Sequence, residues 1–193
     1  YGCTGLTSVT ISNSVTSIED AAFFGCTKLS GIWVAPDNSA YSSDDSGVLF
    51  DKAKTKLICC PGNFSGAYKI PSSVTNIEDR AFYLCTGLTS VAVPGSVTSI
   101  GTDAFRNCTG LTDIAISNGV TEIKSSAFKD CTSLTSITIP SSVTSIGDGV
   151  FGGCAKLSGI WVNPNNSAYS NDASGVLFNK AKTALICCPQ NIS

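Results

Sequence analysis

Residues 131–154 read CTSLTSITIPSSVTSIGDGVFGGC, and this stretch decides the fold. The apolar residues Leu134, Ile137 and Ile139 are spaced i, i+3 and i+5, and the last two alternate as in a β-strand. Pro140 has no N–H group for a β-ladder, so the strand ends there and a turn begins. A second short apolar pair and the sequence Val-Phe-x-x-Cys complete the unit.

The same pattern returns with a period of 23 residues, in units 3–25, 85–107, 108–130 and 131–153. A unit this short cannot bury a core alone, so neighbouring units must cover its apolar side, as in a solenoid. We therefore predict one β-rich repeat solenoid over residues 1–193, with little helix. The strands of seven coils are expected to begin near Leu6, Leu29, Tyr68, Leu88, Leu111, Leu134 and Leu157. One internal column should hold the rings of Phe23, Phe82, Phe105, Phe128 and Phe151.

Two longer units, 26–84 and 154–193, interrupt the short repeats. Residues 26–65 recur as 154–193 with 31 of 40 positions identical, and the first long unit carries 36 extra residues. Each is expected to contain a β-hairpin insertion, with strands at 47–50 and 56–60 and their copies at 175–178 and 185–188. The hairpin should project beside the solenoid or fold against one face. The chain starts without Met and stops inside the second long unit, so we interpret it as an excerpt from a longer array.

The repeated motif Leu-x-x-(Ile/Val)-x-(Ile/Val)-Pro, followed by Ser-Val-Thr-x-Ile-x-x-x-Ala-Phe-x-x-Cys, resembles the BspA-like class of leucine-rich repeats. The resemblance covers nearly the whole chain. It implies a right-handed solenoid with a parallel sheet on one side, found on bacterial and some protozoan cell surfaces and often in adhesins. The duplicated long unit departs from the short-repeat pattern, although Gly-Val-Leu-Phe with Leu-Ile-x-x-Pro resembles insertions seen in that family.

Composition excludes several classes of function. Charged residues make up only 13% of the chain and the net charge is −2, whereas a nucleic-acid partner requires a basic surface. No apolar run is long enough to insert into a membrane. The chain has no His, so it has no Ser-His or Cys-His pair, and no carboxylate or Lys recurs beside a nucleophile. We expect a non-enzymatic protein without a cofactor.

The ten cysteines fall into two groups. Six share one coil position, where a small apolar side chain fills a tight corner, and we expect free buried thiols at Cys3, Cys26, Cys85, Cys108, Cys131 and Cys154. Zinc would need Cys-x-x-Cys spacing, which is lacking, so no metal site is expected. The second group consists of the vicinal pairs Cys59-Cys60 and Cys187-Cys188. These could stay free, or form a disulfide to a coil cysteine or another chain in an oxidising compartment.

Carboxylates in the insertion could suggest calcium. Asp44, Asp45 and Asp51 lie close together in sequence, but the internal copy has Asp172, Ala173 and Asn179 and so loses two carboxylates. A solvated loop is therefore favoured over a calcium site.

Two further surface patterns carry weaker hypotheses. N-glycosylation sequons occur at Asn63, Asn107, Asn165 and Asn191, and they matter only in a eukaryotic secretory pathway. Thr recurs in fixed phases along the coils, which leaves an ice-binding array as a remote alternative to the ordinary use of Thr at exposed β positions.

The best candidates for partner binding are the two tryptophans. Trp33 and Trp161 occupy the outward strand position that Thr10 and Thr138 hold in other coils, and Tyr41 and Tyr169 follow downstream. The tryptophans should lie five strands apart, or about 24 Å. Exposed aromatic residues often dominate interfaces. Alternatively, each ring is the floor on which its own hairpin packs.

Two classes of function follow. One is a surface-displayed adhesion module that contacts protein or glycan at a cell surface. The other is a structural subunit of an extracellular fibre or coat, assembled from copies of itself by stacking of open solenoid edges.

Overall fold

Each short unit folds into one coil with three sides. In residues 108–130, for example, a strand forms the first side, a two-residue strand forms the second, and two successive turns form the third. We call these the strand side, the second side and the turn side. The computed structural model describes residues 2–19 and 21–192, and it contains no helix within those ranges.

The strands in chain order are β1 (Ser8–Ile11), β2 (Gly31–Val34), β3 (Tyr41–Ser43), β4 (Leu49–Asp51), β5 (Lys56–Cys59), β6 (Ser65–Lys69), β7 (Asn76–Ile77), β8 (Gly87–Val93), β9 (Ser99–Ile100), β10 (Asp113–Ile116), β11 (Glu122–Ile123), β12 (Ser136–Ile139), β13 (Ser145–Ile146), β14 (Gly159–Val162), β15 (Tyr169–Asn171), β16 (Leu177–Asn179) and β17 (Leu185–Cys187). The predicted β-solenoid is therefore confirmed.

The strand side carries the seven expected strands, which pair in parallel as β1–β2, β6–β8–β10 and β12–β14. The predicted start of one strand is wrong. Tyr68 lies opposite Val91, and Gly66 lies opposite Leu88, because the register shifts between Gly66 and Ala67. Tyr68 therefore occupies the second apolar position of its coil rather than the first.

A turn of the insertion separates β2 from β6 on the strand side. The N–H of Ile32 donates to the carbonyl of Gly47 at 2.9 Å, so the turn occupies the edge that the next strand would otherwise pair with. Gly47 has a φ of 71°, and a β-carbon there would lie 2.5 Å from the Cα of Gly31. This position therefore needs glycine both for its backbone angle and for the close approach.

The second side forms one seven-stranded sheet in the order β13–β11–β9–β7–β5–β4–β3. The hairpin predicted from the sequence is present as β4 and β5, but β3 adds a third antiparallel strand. The insertion neither projects from the solenoid nor lies on a face, because β5 pairs in parallel with β7 and places Leu57 opposite Ile77. Parallel pairing thus occurs on two sides of the coil, not on one side as expected.

The core confirms the aromatic column for four of its five predicted members. Ring centroids are 4.7 Å apart for Phe82–Phe105, 5.3 Å for Phe105–Phe128 and 5.9 Å for Phe128–Phe151, and all three pairs are nearly parallel. Phe23 instead packs against a separate N-terminal cluster formed by Ile11, Cys26, Leu29, Ile32 and Leu49. The first two coils therefore have their own small core.

Candidate functional site

The two tryptophans lie where the sequence placed them. Thr10 pairs with Trp33 and Thr138 pairs with Trp161, and each tryptophan side chain is 42% exposed. Because strand residues alternate between faces, the flanking Ile32 is directed into the core while Trp33 is directed outward. The local sequence Gly-Ile-Trp-Val is therefore sufficient to present an indole ring on the outer surface of the strand side.

A glycine two residues before each tryptophan makes room for the ring. A β-carbon on Gly31 would lie 2.7 Å from Cε2 of Trp33, and one on Gly159 would lie 2.8 Å from Cζ2 of Trp161. Each indole therefore leans across its glycine along the same face of the strand. An alanine in place of Gly31 would displace the ring.

Between the tryptophans the outward row is formed by small or exposed residues. We define the tryptophan face as the exposed outward positions Thr10, Trp33, Lys69, Ala92, Ala115, Thr138 and Trp161. The insertion turn between β2 and β6 adds about one strand width, so the tryptophans are separated by about 29 Å rather than the 24 Å expected from strand count. Lys69 is the only charged residue in this row.

The expected role of the two tyrosines on this surface is not supported by their positions. Tyr41 lies in β3 on the second side, and its hydroxyl accepts a hydrogen bond from the N–H of Ile18 at 2.9 Å. Tyr169 is buried, and its hydroxyl accepts the N–H of Ile146 in the same way. These residues tie the insertion to the preceding coil because that coil leaves a backbone N–H for them.

The alternative role of the tryptophans, as a floor under the hairpins, stays a prediction, and the position of the insertion disfavours it. The strands of the first insertion continue the sheet of the second side, and both rings keep 42% of their surface exposed. The long units therefore expose their tryptophans rather than cover them.

The cysteines are all free thiols. Five of the six coil cysteines are buried as expected, whereas Cys3 is exposed. The thiols of Cys108, Cys131 and Cys154 each donate to the carbonyl of the Phe residue in the preceding coil, at 3.0 to 3.1 Å. Burial raises the pKa of Cys154 to about 12.

The vicinal cysteines contain no disulfide in the structure. Cys60 is buried and Cys59 is half-buried, and desolvation raises the pKa of both thiols. In the second copy, Cys187 is half-buried and Cys188 is exposed. Pairing of these thiols in an oxidising compartment stays a prediction.

The carboxylates of the insertion hold turns together. Asp44 accepts the N–H groups of Ser46 and Val48, and its other oxygen accepts the Tyr68 hydroxyl at 2.6 Å. Asp51 accepts the N–H groups of Thr55 and Lys56; burial opposes ionisation, but these bonds keep its pKa below the ordinary value. Both carboxylates thus serve the backbone that surrounds them.

The remaining predicted positions are spread over the surface. Asn63, Asn165 and Asn191 are exposed, whereas Asn107 is half-buried on the turn side and has a φ of 61°. The repeated threonines have a structural role that the sequence did not reveal. Five of their hydroxyls each donate to a carbonyl of the preceding coil at 3.0 to 3.3 Å. These hydroxyls belong to Thr75, Thr98, Thr112, Thr121 and Thr144.

Sequence reasoning also missed two buried asparagines. Asn38 donates from Nδ2 to the carbonyls of Ser12 and Val15, and its Oδ1 accepts the N–H groups of Ala40 and Tyr41. Asn166 makes the equivalent four bonds in the second long unit. The sequence did carry a signal for these residues. The Asn just before the insertion is the same in both long units, whereas neighbouring positions differ between the two units.

Stacked strands, two presented tryptophans and no helix among the described residues define a repeat scaffold of the leucine-rich-repeat class. The chain belongs to the BspA type leucine rich repeat family, whose model matches six copies over residues 1–47 and 59–174. The gap between the two matched ranges falls within the first insertion. No curated protein shows significant sequence similarity to this chain.

Solved structures with the same fold come from bacteria. The pneumococcal vaccine antigen PcpA is 28% identical, with a TM-score of 0.80 over 86% of this chain and 41% of that one. A leucine rich cell surface protein from Faecalibacterium prausnitzii is 36% identical, with a TM-score of 0.65 over 82% of this chain and 48% of that one. The chain therefore spans less than half the length of these two proteins. A leucine-rich repeat protein from Bacteroides capillosus is 29% identical, with a TM-score of 0.52 over 64% of this chain and 92% of that one.

Proposed function

We propose that this chain is a non-enzymatic scaffold displayed outside the cell, where its tryptophan face binds protein or glycan at a cell surface. The observation that carries the proposal is the presentation of Trp33 and Trp161 at equivalent register positions, each 42% exposed. Trp is among the residues most enriched at interface hot spots.

The surroundings of the tryptophans favour a neutral, extended partner. Ala92, Ala115 and Thr138 are small and exposed between the two rings. Lys69 is the one long side chain between them, and its flexible stem could move aside for a polymer bound along the row. Two rings about 29 Å apart on the same side of the solenoid would engage one partner at two points, which raises avidity. A protein fibre or a polysaccharide chain has the required length.

The location outside the cell is supported by the family and by one neighbour. The Faecalibacterium prausnitzii protein of the same fold is described as a cell surface protein. In the described residues, no helix has the length and apolar character needed to cross a membrane. Adhesion is the role that fits a contact face with two exposed tryptophans and a single charged residue, Lys69.

Binding to arrays of purified glycans and extracellular-matrix proteins tests this function. Trp33→Ala and Trp161→Ala should each weaken binding, and the double variant should abolish it, while thermal stability stays within a few degrees of the parent. Ile192→Ala is a matched control, because Ile192 is 41% exposed but lies off the tryptophan face. Unchanged binding by the double variant, or loss of stability without loss of binding, would contradict the proposal.

Self-assembly into a fibre or coat stays a prediction, because the open edge of a solenoid can add a strand from another copy. Electron microscopy of the purified chain should then show regular filaments. Isolated short rods at high concentration would exclude this function.

A further inference from the structure

One face of each exposed indole is covered by the backbone beneath it, and the other face is turned to solvent. A β-carbon built on Gly31 would lie 2.7 Å from both Cε2 and Cζ2 of Trp33, and 2.8 Å from Nε1. Nε1 and Cζ2 flank Cε2, so a point in the ring plane beyond this edge would be nearer to them than to Cε2. Gly31 therefore lies under a face of the ring.

The second indole has the same pose. A β-carbon on Gly159 would lie 2.8 Å from Cζ2, 2.9 Å from Cε2 and 3.1 Å from Nε1 of Trp161. Both glycines occupy outward strand positions and are nevertheless buried, because a ring lies over each of them. Each tryptophan thus forms a flat plate on the strand side. We call these plates the indole platforms, one made by Trp33 over Gly31 and the other by Trp161 over Gly159.

Each platform lies between the same two neighbours. On one side is the preceding strand, where Thr10 is opposite Trp33. On the other side is the insertion turn, because the N–H of Ile32 donates to the carbonyl of Gly47 at 2.9 Å. The second long unit repeats both contacts with its equivalent residues. The two platforms are therefore copies of one local structure rather than two unrelated exposed side chains.

Hydroxyl groups border each platform on the preceding strand. Two outward hydroxyls lie opposite each glycine and tryptophan pair, and they belong to Ser8 and Thr10 in one case and to Ser136 and Thr138 in the other. Among the residues that the structure describes, none of these four hydroxyls has a hydrogen-bond partner in the protein. By contrast, Thr112 donates its hydroxyl to a carbonyl of the preceding coil. The four bordering hydroxyls are therefore free to bond a ligand that carries hydroxyl groups itself.

The two platforms share no charge that is free to recognise a ligand. Asp45, which is exposed in the turn beside the first platform, is replaced by Ala173 in the second unit. The neighbouring Asp44 and its copy Asp172 each accept two N–H groups of their own turn. Lys69, the single charged residue of the tryptophan face, lies on β6 beyond the first turn. A ligand that both platforms recognise is therefore expected to be neutral.

We propose that the indole platforms bind a neutral glycan of β-linked, glucose-type hexopyranose units, with one sugar ring stacked on each indole. The substituents of such a sugar are equatorial, so the C–H bonds of one face form a flat apolar surface that matches an indole face. The face of an aromatic ring is electron-rich, and it attracts these C–H bonds because the sugar oxygens make them partly positive. The inference rests on the function proposed above, since it names the partner of the same face.

The pose of the rings favours a glycan over a protein partner. Aromatic hot spots in protein interfaces are typically buried in well-packed pockets of the partner. A ring that lies flat on its own backbone cannot enter a pocket, because it offers the partner only one face. It can, however, carry a sugar ring above that face while the bordering hydroxyls bond the hydroxyls of the sugar.

Tryptophan fluorescence reports on this site alone, because Trp33 and Trp161 are the two tryptophans of the chain. The probes are cello-oligosaccharides and chito-oligosaccharides of increasing length, with calorimetry as the second measurement. We expect a saturable change in fluorescence. A chain long enough to span about 29 Å should bind at least about tenfold more tightly than a disaccharide, since it reaches both rings. Added salt should leave the affinity unchanged, because the ligand is neutral.

Substitutions of the tryptophans separate stacking from general apolar contact. The double variant Trp33→Leu and Trp161→Leu keeps apolar surface but has no aromatic face, so it should lose binding of the oligosaccharides. The matched control is Trp33→Tyr with Trp161→Tyr, which should retain binding in calorimetry. Trp33→Leu alone should reduce the affinity for a long oligosaccharide to that for a disaccharide.

A second pair of variants tests the bordering hydroxyls. Thr10→Val with Thr138→Val removes two hydroxyls at nearly constant size and should weaken binding about threefold or more. Thr89→Val should leave binding unchanged, because Thr89 is exposed on a coil that carries no tryptophan.

The outcomes distinguish this inference from the function on which it rests. Loss of binding in the double Leu variant with retention in the double Tyr variant supports the glycan site. Equal binding by the double Leu variant, or no binding of either oligosaccharide series by the parent, overturns it. The proposed function then survives only if a matrix protein binds the parent and does not bind the Trp33→Ala and Trp161→Ala double variant.

Discussion

At the scale of single residues, the coil is defined by buried apolar positions that recur every 23 residues. Leu88, Leu111 and Leu134 are fully buried, and the phenylalanine column stacks at 4.7 to 5.9 Å. Each side chain contacts its own coil and the two neighbouring coils, so a cavity at one position lowers the stability of three coils but leaves distant ones intact.

Replacement of Leu111 by Ala should therefore lower the free energy of unfolding by about 2 to 5 kcal/mol, the range for a buried truncation. Chemical denaturation followed by circular dichroism gives this value. Ser136→Ala, at an exposed strand position, should change it by less than about 0.5 kcal/mol. A loss below about 1 kcal/mol for Leu111→Ala would mean that the core can close around the missing side chain.

The buried thiols make stability depend on alkaline pH. Desolvation raises the pKa of Cys131, and that of Cys154 to about 12, from an ordinary value of 9.0. Because the folded pKa lies above the unfolded one, the stabilisation is complete below about pH 9 and is lost as the pH rises toward 12. The free energy of unfolding should fall by up to about 1.4 kcal/mol per pH unit for each such thiol.

Denaturation at pH 7.5, 9 and 10 checks this dependence. A variant with Cys131→Ala and Cys154→Ala separates the contribution of the thiols from that of Lys and Tyr, which also titrate in this range. The variant should lose stability less steeply above pH 9 than the parent. Parallel curves for the two proteins would show that these thiols ionise equally well in the folded state.

At the scale of elements, the insertion contributes strands to the solenoid and does not project from it. Its last strand, β5, takes the second-side position of the coil, and Leu57 packs there as Ile77 does in the next coil. Asn38 fixes the start of the insertion through four backbone hydrogen bonds, although it is fully buried. The insertion is thereby locked to the first coil.

Asn38→Ala should cost about 3 kcal/mol or more, because it leaves several buried backbone groups without partners. The exposed Asn13 gives a matched control, and Asn13→Ala should change the free energy of unfolding by less than about 0.5 kcal/mol. Hydrogen exchange at Ala40 and Tyr41 provides a local measurement. Unchanged protection of these two amides in Asn38→Ala would contradict the role assigned to the side chain.

The elements also show what could be predicted from sequence and what could not. The strands at 113–116 and 136–139 were predictable because their apolar spacing acts within a few residues, and Pro140 also marks the end of the second one. The strand at 41–43 reads Tyr-Ser-Ser, which has no apolar alternation, so only pairing with β4 makes it a strand.

The candidate surface was predictable to the same degree. The outward direction of Trp33 follows from strand alternation, and its register was correct. The wider spacing of the tryptophans depends on the contact between Ile32 and Gly47, and the inward hydroxyl of Tyr41 depends on its contact with Ile18; neither pair is local in sequence.

At the scale of the whole molecule, a solenoid can lose a complete coil without losing its fold. Deletion of 108–130 joins Asn107 to Cys131, which occupies the same coil position as Cys108. Phe128 leaves with the deleted coil, so Phe105 should then stack on Phe151, and the repeat spacing makes this the natural register. The shortened chain should unfold in one transition, and small-angle scattering should show a rod shorter by about 4.8 Å.

A smaller deletion supplies the control. Removal of 119–130 takes out fewer residues, but it joins the strand side of one coil directly to the next strand and eliminates the second side and the turn side between them. The residues left between the two strands are too few to cross the width of the solenoid. The strand at 113–116 would stay behind without the rest of its coil, so Phe105 and Phe151 could not come into register. We expect the shorter deletion to be the more damaging one, with exposed apolar surface and a broad transition. If instead stability followed the number of residues removed, the coils would not be the units that stabilise this fold.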